Sequence, residues 1–424
     1  MSKFFSLDRD EPLSAKLKVV GVGGGGCNAI ESMMNKGLKG VEYVAINTDA
    51  QVLNLSHADH KIQIGVNVTR GLGAGADPNV GRKAIEEDRD KIAKILENTD
   101  MVFVTAGMGG GTGTGGAPII ASIAKSVGAL VIGIVTKPFK WEGKKRMMNA
   151  EEGIHELRRN VDSLIVIPND RLLNILDGTV SAKTAFDKPN EVLYEATRGI
   201  ADIITIPGII NVDFADVRSV MNASGEAIMG AGVASGENRA IEAAQKAISS
   251  PLLEGMSIKG AKNILLNVTG SDDLTMQEID EGNKIIYEAA GEEANVIFGW
   301  VNREDMNEYV SYTVIATGFG EQRSKVHEKI EEEKEIHKKK AESYFSGFSL
   351  SNNGKKETID LDEPTIFRVK GSKNLLASDE DIPESGFKLE QLDAFEKVNV
   401  KENKNNSNDN DEDESSSFLR MMMD

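Results

Sequence analysis

Two glycine-dense segments carry most of the chemistry that this sequence can offer. The first, Gly21-Val22-Gly23-Gly24-Gly25-Gly26-Cys27-Asn28, follows a β-branched run and precedes a helical one. Consecutive glycines there let the backbone turn tightly and aim amide N–H groups, with a helix amino terminus behind them, at phosphate oxygens. Gly21, Gly23 and Gly26 also satisfy GxGxxG, so this loop alone leaves dinucleotide binding open. The second, Gly107-Met108-Gly109-Gly110-Gly111-Thr112-Gly113-Thr114-Gly115-Gly116, again lies where a strand gives way to a helix. Its threonine hydroxyls add donors that glycine lacks, which suits an anion nest. Two such loops on separate strands imply a phosphate chain gripped from both sides. No GxxxxGK[ST] occurs in the sequence, which argues against an ordinary P-loop NTPase.

A third group is acidic. Asn211, Asp213 and Asp216 in NVDFADV bring two carboxylates close together ahead of a helix start, where both can face one spot in solvent. The same spacing suits a turn residue followed by a helix cap, and the residues alone leave both readings open. His57-Ala58-Asp59-His60 has ligand-type side chains in a polar connection between strands, where a metal is not expected. Cys27 reads as a small packing residue rather than a nucleophile.

These groups need a scaffold, and the pattern around them supplies one. Residues 17–22, 41–47, 101–105, 130–135 and 164–167 are short, mostly apolar runs of the kind buried on both faces of a sheet. Between them, 79–96 and 143–161 carry apolar residues at three-to-four spacing, as amphipathic helices do. The alternation predicts an α/β fold with a parallel, doubly wound, Rossmann-like sheet and ligands at the carboxyl ends of its strands. Pro189 in a first turn followed by 191–204 reads as a long central helix, 190–214 in all with the acidic loop. Helical patterns at 237–249 and 275–290 and strand-like runs at 263–269, 295–300 and 309–317 predict a smaller α/β domain over 215–320, after a first domain of 17–189.

Composition bounds the rest. The 424 residues hold 49 Lys plus Arg against 67 Asp plus Glu, a formal charge of −18. That balance argues against unaided binding to nucleic acid or to an anionic membrane. One cysteine excludes an internal disulfide and fits a reducing cytosol. No apolar stretch is long enough to span a bilayer and no signal peptide is recognisable, so a cytoplasmic protein without membrane insertion is expected. Residues 1–16 read as a flexible arm, 321–345 as a charged helix, and 346–415 as a disordered linker too polar to offset its ordering entropy. The linker ends in a short apolar and cationic tip, 416–424, that could dock in a partner's groove.

GGGTGTG at 109–115, with VGVGGGGCNA, NTDAQ at 47–51, GLGAGADP at 71–78, TKPF followed by EGKKR, and NVDFADV at 211–217, resembles the FtsZ family of bacterial cell-division GTPases in the tubulin superfamily. The resemblance runs over roughly residues 15–318 with every motif in order. It implies that GTP or GDP is held in the first domain, with Mg²⁺ bound through the phosphates. Gly24, Gly25, Gly26, Cys27 and Asn28 would lie near the first phosphates and sugar, Gly111, Thr112 and Gly113 around the β- and γ-phosphates, and Ala74, Gly75 and Ala76 beside the γ-phosphate. Glu142 and Arg146, four apart on one helix face, would contact the ribose, although that spacing also suits a mutual ion pair. Phe186 would stack on guanine and Asn190 would read its edge, with Asn28 and Asn169 as neighbours. Many members have Asp where Asn190 stands, so that contact would lack charge assistance.

The resemblance also implies head-to-tail homopolymers forming a midcell ring, in which Asn211, Asp213 and Asp216 enter the next subunit's nucleotide site and act on the attacking water. Phe418, Leu419 and Arg420 resemble the family's carboxyl-terminal peptide, which recruits membrane anchors and regulatory division proteins. Here the Asp-Ile-Pro that often precedes it lies upstream, at Asp381-Ile382-Pro383. Two alternatives weigh against this reading. A non-hydrolysing nucleotide-binding scaffold would have no use for the three polar groups of NVDFADV. An NAD-dependent oxidoreductase would use Asp49 as its ribose-binding acid and leave the second glycine loop without a role.

Overall fold

The computed structural model of the chain describes residues 15–173, 180–206, 208, 210, 212–253 and 257–319. Asn211 lies outside the described residues, as do the readings of 321–345, of 346–415 and of the tip with Phe418, Leu419 and Arg420.

The five expected apolar runs form strands β1 (Leu17–Val22), β2 (Val41–Asn47), β4 (Met101–Gly107), β5 (Leu130–Lys137) and β6 (Ser163–Pro168), with an unanticipated β3 (His60–Gln63) at the edge. All pair in parallel in the order β3-β2-β1-β4-β5-β6. Alternate side chains leave opposite faces. Val19 and Phe103 thus join one core with Ile30, Met33 and Ile200, while Val20 and Val104 join another with Ile85, Ile120 and Leu157.

Helices α1 (Gly23–Asn35), α2 (Ala50–Leu55), α3 (Val66–Thr69), α4 (Pro78–Glu87) and α5 (Arg89–Leu96) fill the connections up to β4. The single helix expected over 79–96 is therefore two. The Asp88 carboxylate, buried at the break, accepts from the Gly65 N–H at 2.9 Å, and its backbone (φ −111°, ψ 20°) leaves the helical region to do so. Next come α6 (Thr112–Ser126), α7 (Lys144–Asn160) and α8 (Asn169–Leu173). The long helix, α9 (Ala182–Thr205), starts earlier than expected. Ser181 caps it by accepting from the Thr184 N–H, and Pro189 lies inside the helix rather than in its first turn.

Beyond α9, α10 (Phe214–Met221) leads into β7 (Gly225–Ser235), which pairs in parallel with β6 through Ser163↔Gly225, Leu164↔Glu226 and Ile165↔Ala227. The sheet is thereby continuous into the second half, where β8 (Asn263–Gly270), β9 (Asn295–Asn302) and β10 (Tyr309–Thr317) complete the order β7-β10-β8-β9. Strand β10 runs antiparallel to both β7 and β8. No expectation covered β7, because GEAIMGAGVAS is small-residue-rich and lacks β-branched alternation. The reason is packing. A Cβ at Gly230 would lie 2.1 Å from the Ala247 carbonyl oxygen, and one at Gly232 2.2 Å from that of Ala243, because α11 (Arg239–Ile248) rests directly on the strand. Helix α12 (Met276–Ala290) packs beside it and opens with the Thr275 and Glu278 capping box.

Arg239, 6% exposed, ties these elements together: Nε donates to Glu278 at 2.8 Å, and Nη1 donates to Asp273 at 2.8 Å and to the Glu308 carbonyl at 3.2 Å. Hydrogen bonds from the Ser271 hydroxyl and from Arg239 hold the Asp273 carboxyl below its ordinary range. Burial alone would raise Glu278, but bonds from Arg239 and Thr275 outweigh it and Glu278 is lowered as well. Carboxylates lowered in the folded state stabilise it above their unfolded pKa of about 4, and that contribution is lost as pH falls through the folded values. Arg239→Ala is expected to cost roughly 2 kcal/mol at pH 7. In urea unfolding, the gap between variant and wild type should narrow from pH 7 to pH 3.

Candidate functional site

Strands β1 and β4 are neighbours, with Val22 level with Ala106, so their carboxyl ends release two glycine loops side by side. Helix α1 begins at Gly23, inside the first loop, while α6 begins at Thr112. The two amino termini are brought together by backbone contact. A Cβ at Gly23 would lie 2.8 Å from the Gly113 nitrogen, one at Gly25 3.1 Å from the Gly107 Cα, and one at Gly26 2.5 Å from the Thr105 carbonyl oxygen. At Gly24 and Gly110, by contrast, a Cβ would meet no protein atom within 4 Å. The protein's own packing requires glycine at Gly23 and Gly26 and favours it at Gly25. At Gly24 and Gly110 only a molecule approaching from outside would need it.

The GAGADP loop folds over the second glycine loop. Ala74 is buried against Gly111, where a Cβ would stand 2.7 Å from the Ala74 methyl, while Gly75 and Ala76 are exposed and both adopt positive φ (57° and 59°). Asp77 caps α4 and Asn149 Nδ2 donates to the Ala76 carbonyl at 3.3 Å. Thr112 Oγ1 lies 2.7 Å from Thr48 Oγ1, and Thr114 Oγ1 accepts from the Gly109 N–H at 2.9 Å. Thr48, fully buried, adjoins the site unannounced, although it sits within the NTDAQ motif.

Glu142 and Arg146 do form an ion pair, but not on one helix face. Glu142 ends a 3₁₀ turn (Lys140–Glu142), Gly143 (φ 103°) breaks the chain direction, and Arg146 belongs to the first turn of α7. The other Glu142 oxygen accepts from the Phe139 N–H at 2.8 Å, which closes the turn. That turn holds Phe139, buried, and Trp141, 64% exposed, stacked at 5.5 Å between ring centroids. Phe186 on α9, 51% exposed, meets both edge-on at 5.7 and 5.8 Å. Asn190 follows Phe186 by one helical turn and lines, with Asn28, a cleft of about 520 Å³ between α1 and α9. Asn169 starts α8 at the end of β6, and its buried Oδ1 has no donor among the described residues.

The structure thus gathers Gly24–Asn28, Ala74–Ala76, Gly111–Gly113 and the Asn28 and Asn190 cleft at the carboxyl edge of the parallel strands. It places Asp213 and Asp216 elsewhere, beyond the far end of α9. There Asp213 caps α10 by accepting from the Asp216 N–H at 2.8 Å, and both side chains are exposed. The capping role falls to Asp213, not to Asp216. Asp49 caps α2 by accepting from the Gln51 and Val52 N–H groups, which leaves it engaged at a helix start rather than presented to a ribose. Among the described residues no group of three or more His, Cys, Asp or Glu side chains could hold a metal, and no helix is long and apolar enough to cross a membrane.

Paired glycine loops that open helices at adjacent parallel strand ends, followed by a long helix and a second mixed-sheet half, define an α/β fold built to hold a phosphate-bearing ligand. Residues 16–177 match the model for the Tubulin/FtsZ family GTPase domain, and 225–320 match that for the FtsZ family C-terminal domain. An M. jannaschii FtsZ, described as an empty dimer, is 44% identical over 73% of this chain and 89% of its own, with a TM-score of 0.69. CetZ1 from Haloferax volcanii, described as a GDP-bound monomer, is 25% identical over 72% and 94%, with a TM-score of 0.62. The chain belongs to the FtsZ family and is a guanine-nucleotide-binding protein.

Gly26→Ala should destabilise the fold by about 1–3 kcal/mol through overpacking. Gly24→Ala should leave urea unfolding of the nucleotide-free protein unchanged and weaken GDP binding; equal destabilisation by the two would contradict the assignment of the open positions. Burial pushes the Cys27 thiol up to about 12, only partly countered by the Asn47 amide near its sulfur. Cys27 should therefore resist iodoacetamide at pH 8 in the native protein and react only after denaturation.

Proposed function

We propose that this chain is a self-assembling GTPase of the bacterial cytokinetic ring, in which one subunit's acidic loop completes the nucleotide site of the next. The carrying observation is a distance built into the chain. Helix α9 has 24 residues, about 36 Å of rise, with the aromatic notch near its start and the acidic loop just past its end. Asp213 and Asp216, both exposed, therefore lie a helix length away from the aromatic notch of their own chain. A head-to-tail neighbour brings them to a nucleotide, and the similar M. jannaschii protein is described as a dimer.

Each residue then has a definite role. Gly24, Gly25, Gly26, Cys27 and Asn28 present the amino terminus of α1 to the first phosphates and sugar, and Gly111, Thr112 and Gly113 present that of α6 to the β- and γ-phosphates. Ala74, Gly75 and Ala76 close over the γ-phosphate. Arg146, turned by Glu142, lies toward the ribose; Phe186 stacks on guanine and Asn190 pairs with its edge. The orphaned Asn169 Oδ1 is an acceptor that a nucleotide N–H or O–H satisfies. Mg²⁺, carried by the phosphates, supplies charge neutralisation.

Asn211, Asp213 and Asp216 of the adjoining subunit orient and polarise the water that attacks the γ-phosphorus, so hydrolysis is conditional on assembly. The ring stands on the inner face of the membrane at midcell, held by anchors and regulators that bind Phe418, Leu419 and Arg420.

The test is phosphate release per subunit against protein concentration, with light scattering on the same Mg²⁺-containing samples. Turnover should be negligible below a threshold and rise with scattering above it; turnover proportional to protein throughout would place the whole site in one chain. Asparagine caps a helix as well as aspartate, so Asp213→Asn isolates the carboxylate. It should bind GTP and assemble while hydrolysing roughly a hundredfold more slowly.

A further inference from the structure

The largest exposed aromatic in the described structure is Trp141, and its surroundings give it a function that no part of the mechanism above uses. The residue is 64% exposed, yet the turn beneath it is firmly held. The Phe139 N–H donates to Glu142, the Glu142 N–H donates back to the Phe139 carbonyl at 3.0 Å, and the Lys140 N–H donates to Asp170 at 3.0 Å. One indole face is covered by Phe139, stacked within 14° of parallel; Phe186 stands at 86° to the indole with its centroid 5.8 Å away. Two exposed rings at right angles make a corner, backed by a third that is buried. Asp170, which anchors the turn, directly follows Asn169 with its unpartnered oxygen. Aromatic surface left open on two rings at right angles suits a planar heterocycle, and the turn that carries it is tied through Asp170 to the segment bearing the Asn169 acceptor.

We infer that Trp141 is the second wall of the base pocket: a purine stacked on Phe186 lays its edge against the indole, so Trp141 sets affinity for the base. This rests on the guanine-nucleotide reading and adds to it a residue outside the phosphate and ribose contacts. Because the ring is exposed and its turn is closed by backbone and carboxylate bonds, truncating it should leave the fold intact.

The chain has only two tryptophans, and Trp300 is buried in the second half. Trp300→Phe therefore leaves Trp141 as the sole indole. In nucleotide-stripped protein held below the assembly threshold, saturating GDP should quench or shift that emission. Calorimetry should show Trp141→Ala raising the Kd for GDP roughly tenfold, with Trp141→Phe recovering most of the affinity and thermal unfolding unchanged.

Three results would overturn the inference. Unchanged GDP affinity in Trp141→Ala would remove the indole from the pocket. Emission unmoved by GDP that calorimetry shows to be bound would do the same. Emission that responds only to assembly would make Trp141 a subunit contact. In all three the guanine reading stands, whereas wild-type protein that binds no GDP would overturn that reading itself.

Discussion

Everything in the first half of this structure depends on two loops touching without side chains between them. Strands β1 and β4 are hydrogen-bonded neighbours, so whatever follows them emerges within a few ångströms. Two helices can start there only if their first turns meet backbone to backbone. Gly23 against Gly113, Gly25 against Gly107 and Gly26 against Thr105 are the contacts that permit it. Outside that contact zone the same loops keep glycine at Gly24 and Gly110, where the protein itself imposes no limit. One set of glycines builds the platform and the other leaves it bare, so two sets of amide donors and two helix dipoles converge on one small volume.

That convergence fixes what the long helix must do. Helix α9 lies across the face of the sheet that buries Ile200 and Ile203, in a core shared by Val19, Phe103, Met229, Leu265 and Ile315. Its start carries base-pocket candidates and its end delivers the acidic loop, which separates the two by the length of the helix. Continuity of the sheet through β6 and β7 holds both ends in a single frame.

How far the sequence revealed this depended on the kind of force involved. Strands driven by burial of branched apolar side chains were legible: β1 and β2 match their expected bounds, and β8, β9 and β10 start where predicted. The glycine loops were legible as well, because the chain offers no other reason for such density. What escaped notice is set by partners distant in sequence. Strand β7 exists because glycines accept the backbone of α11, the break at Asp88 exists because Gly65 needs an acceptor, and Thr48 joins the site through Thr112. Helix α9 starts ahead of the expected Pro189 because Ser181 caps it and the proline is accommodated inside the helix. Glu142 and Arg146 have the spacing of a helical pair, but positive φ at Gly143 makes the pair through a turn.

The anchoring of α9 is the remaining step. Near its middle, Lys36 at the end of α1 pairs with Glu191 at 3.2 Å and sits 5.2 Å over the Tyr194 ring. Further along, the buried Asp202 carboxylate meets Arg198 at 2.9 Å and Arg303, beyond β9, at 3.6 Å; burial nevertheless raises its pKa above the ordinary carboxylate value. Charged pairs desolvated in this way add little net stability compared with apolar packing of the same volume. What they supply is direction. Apolar cores tolerate a helix that slides or rotates, whereas an arginine and a carboxylate in contact have only a few arrangements. Helix α9 is thus held in register to α1, which carries the first phosphate loop, and to the second half of the protein.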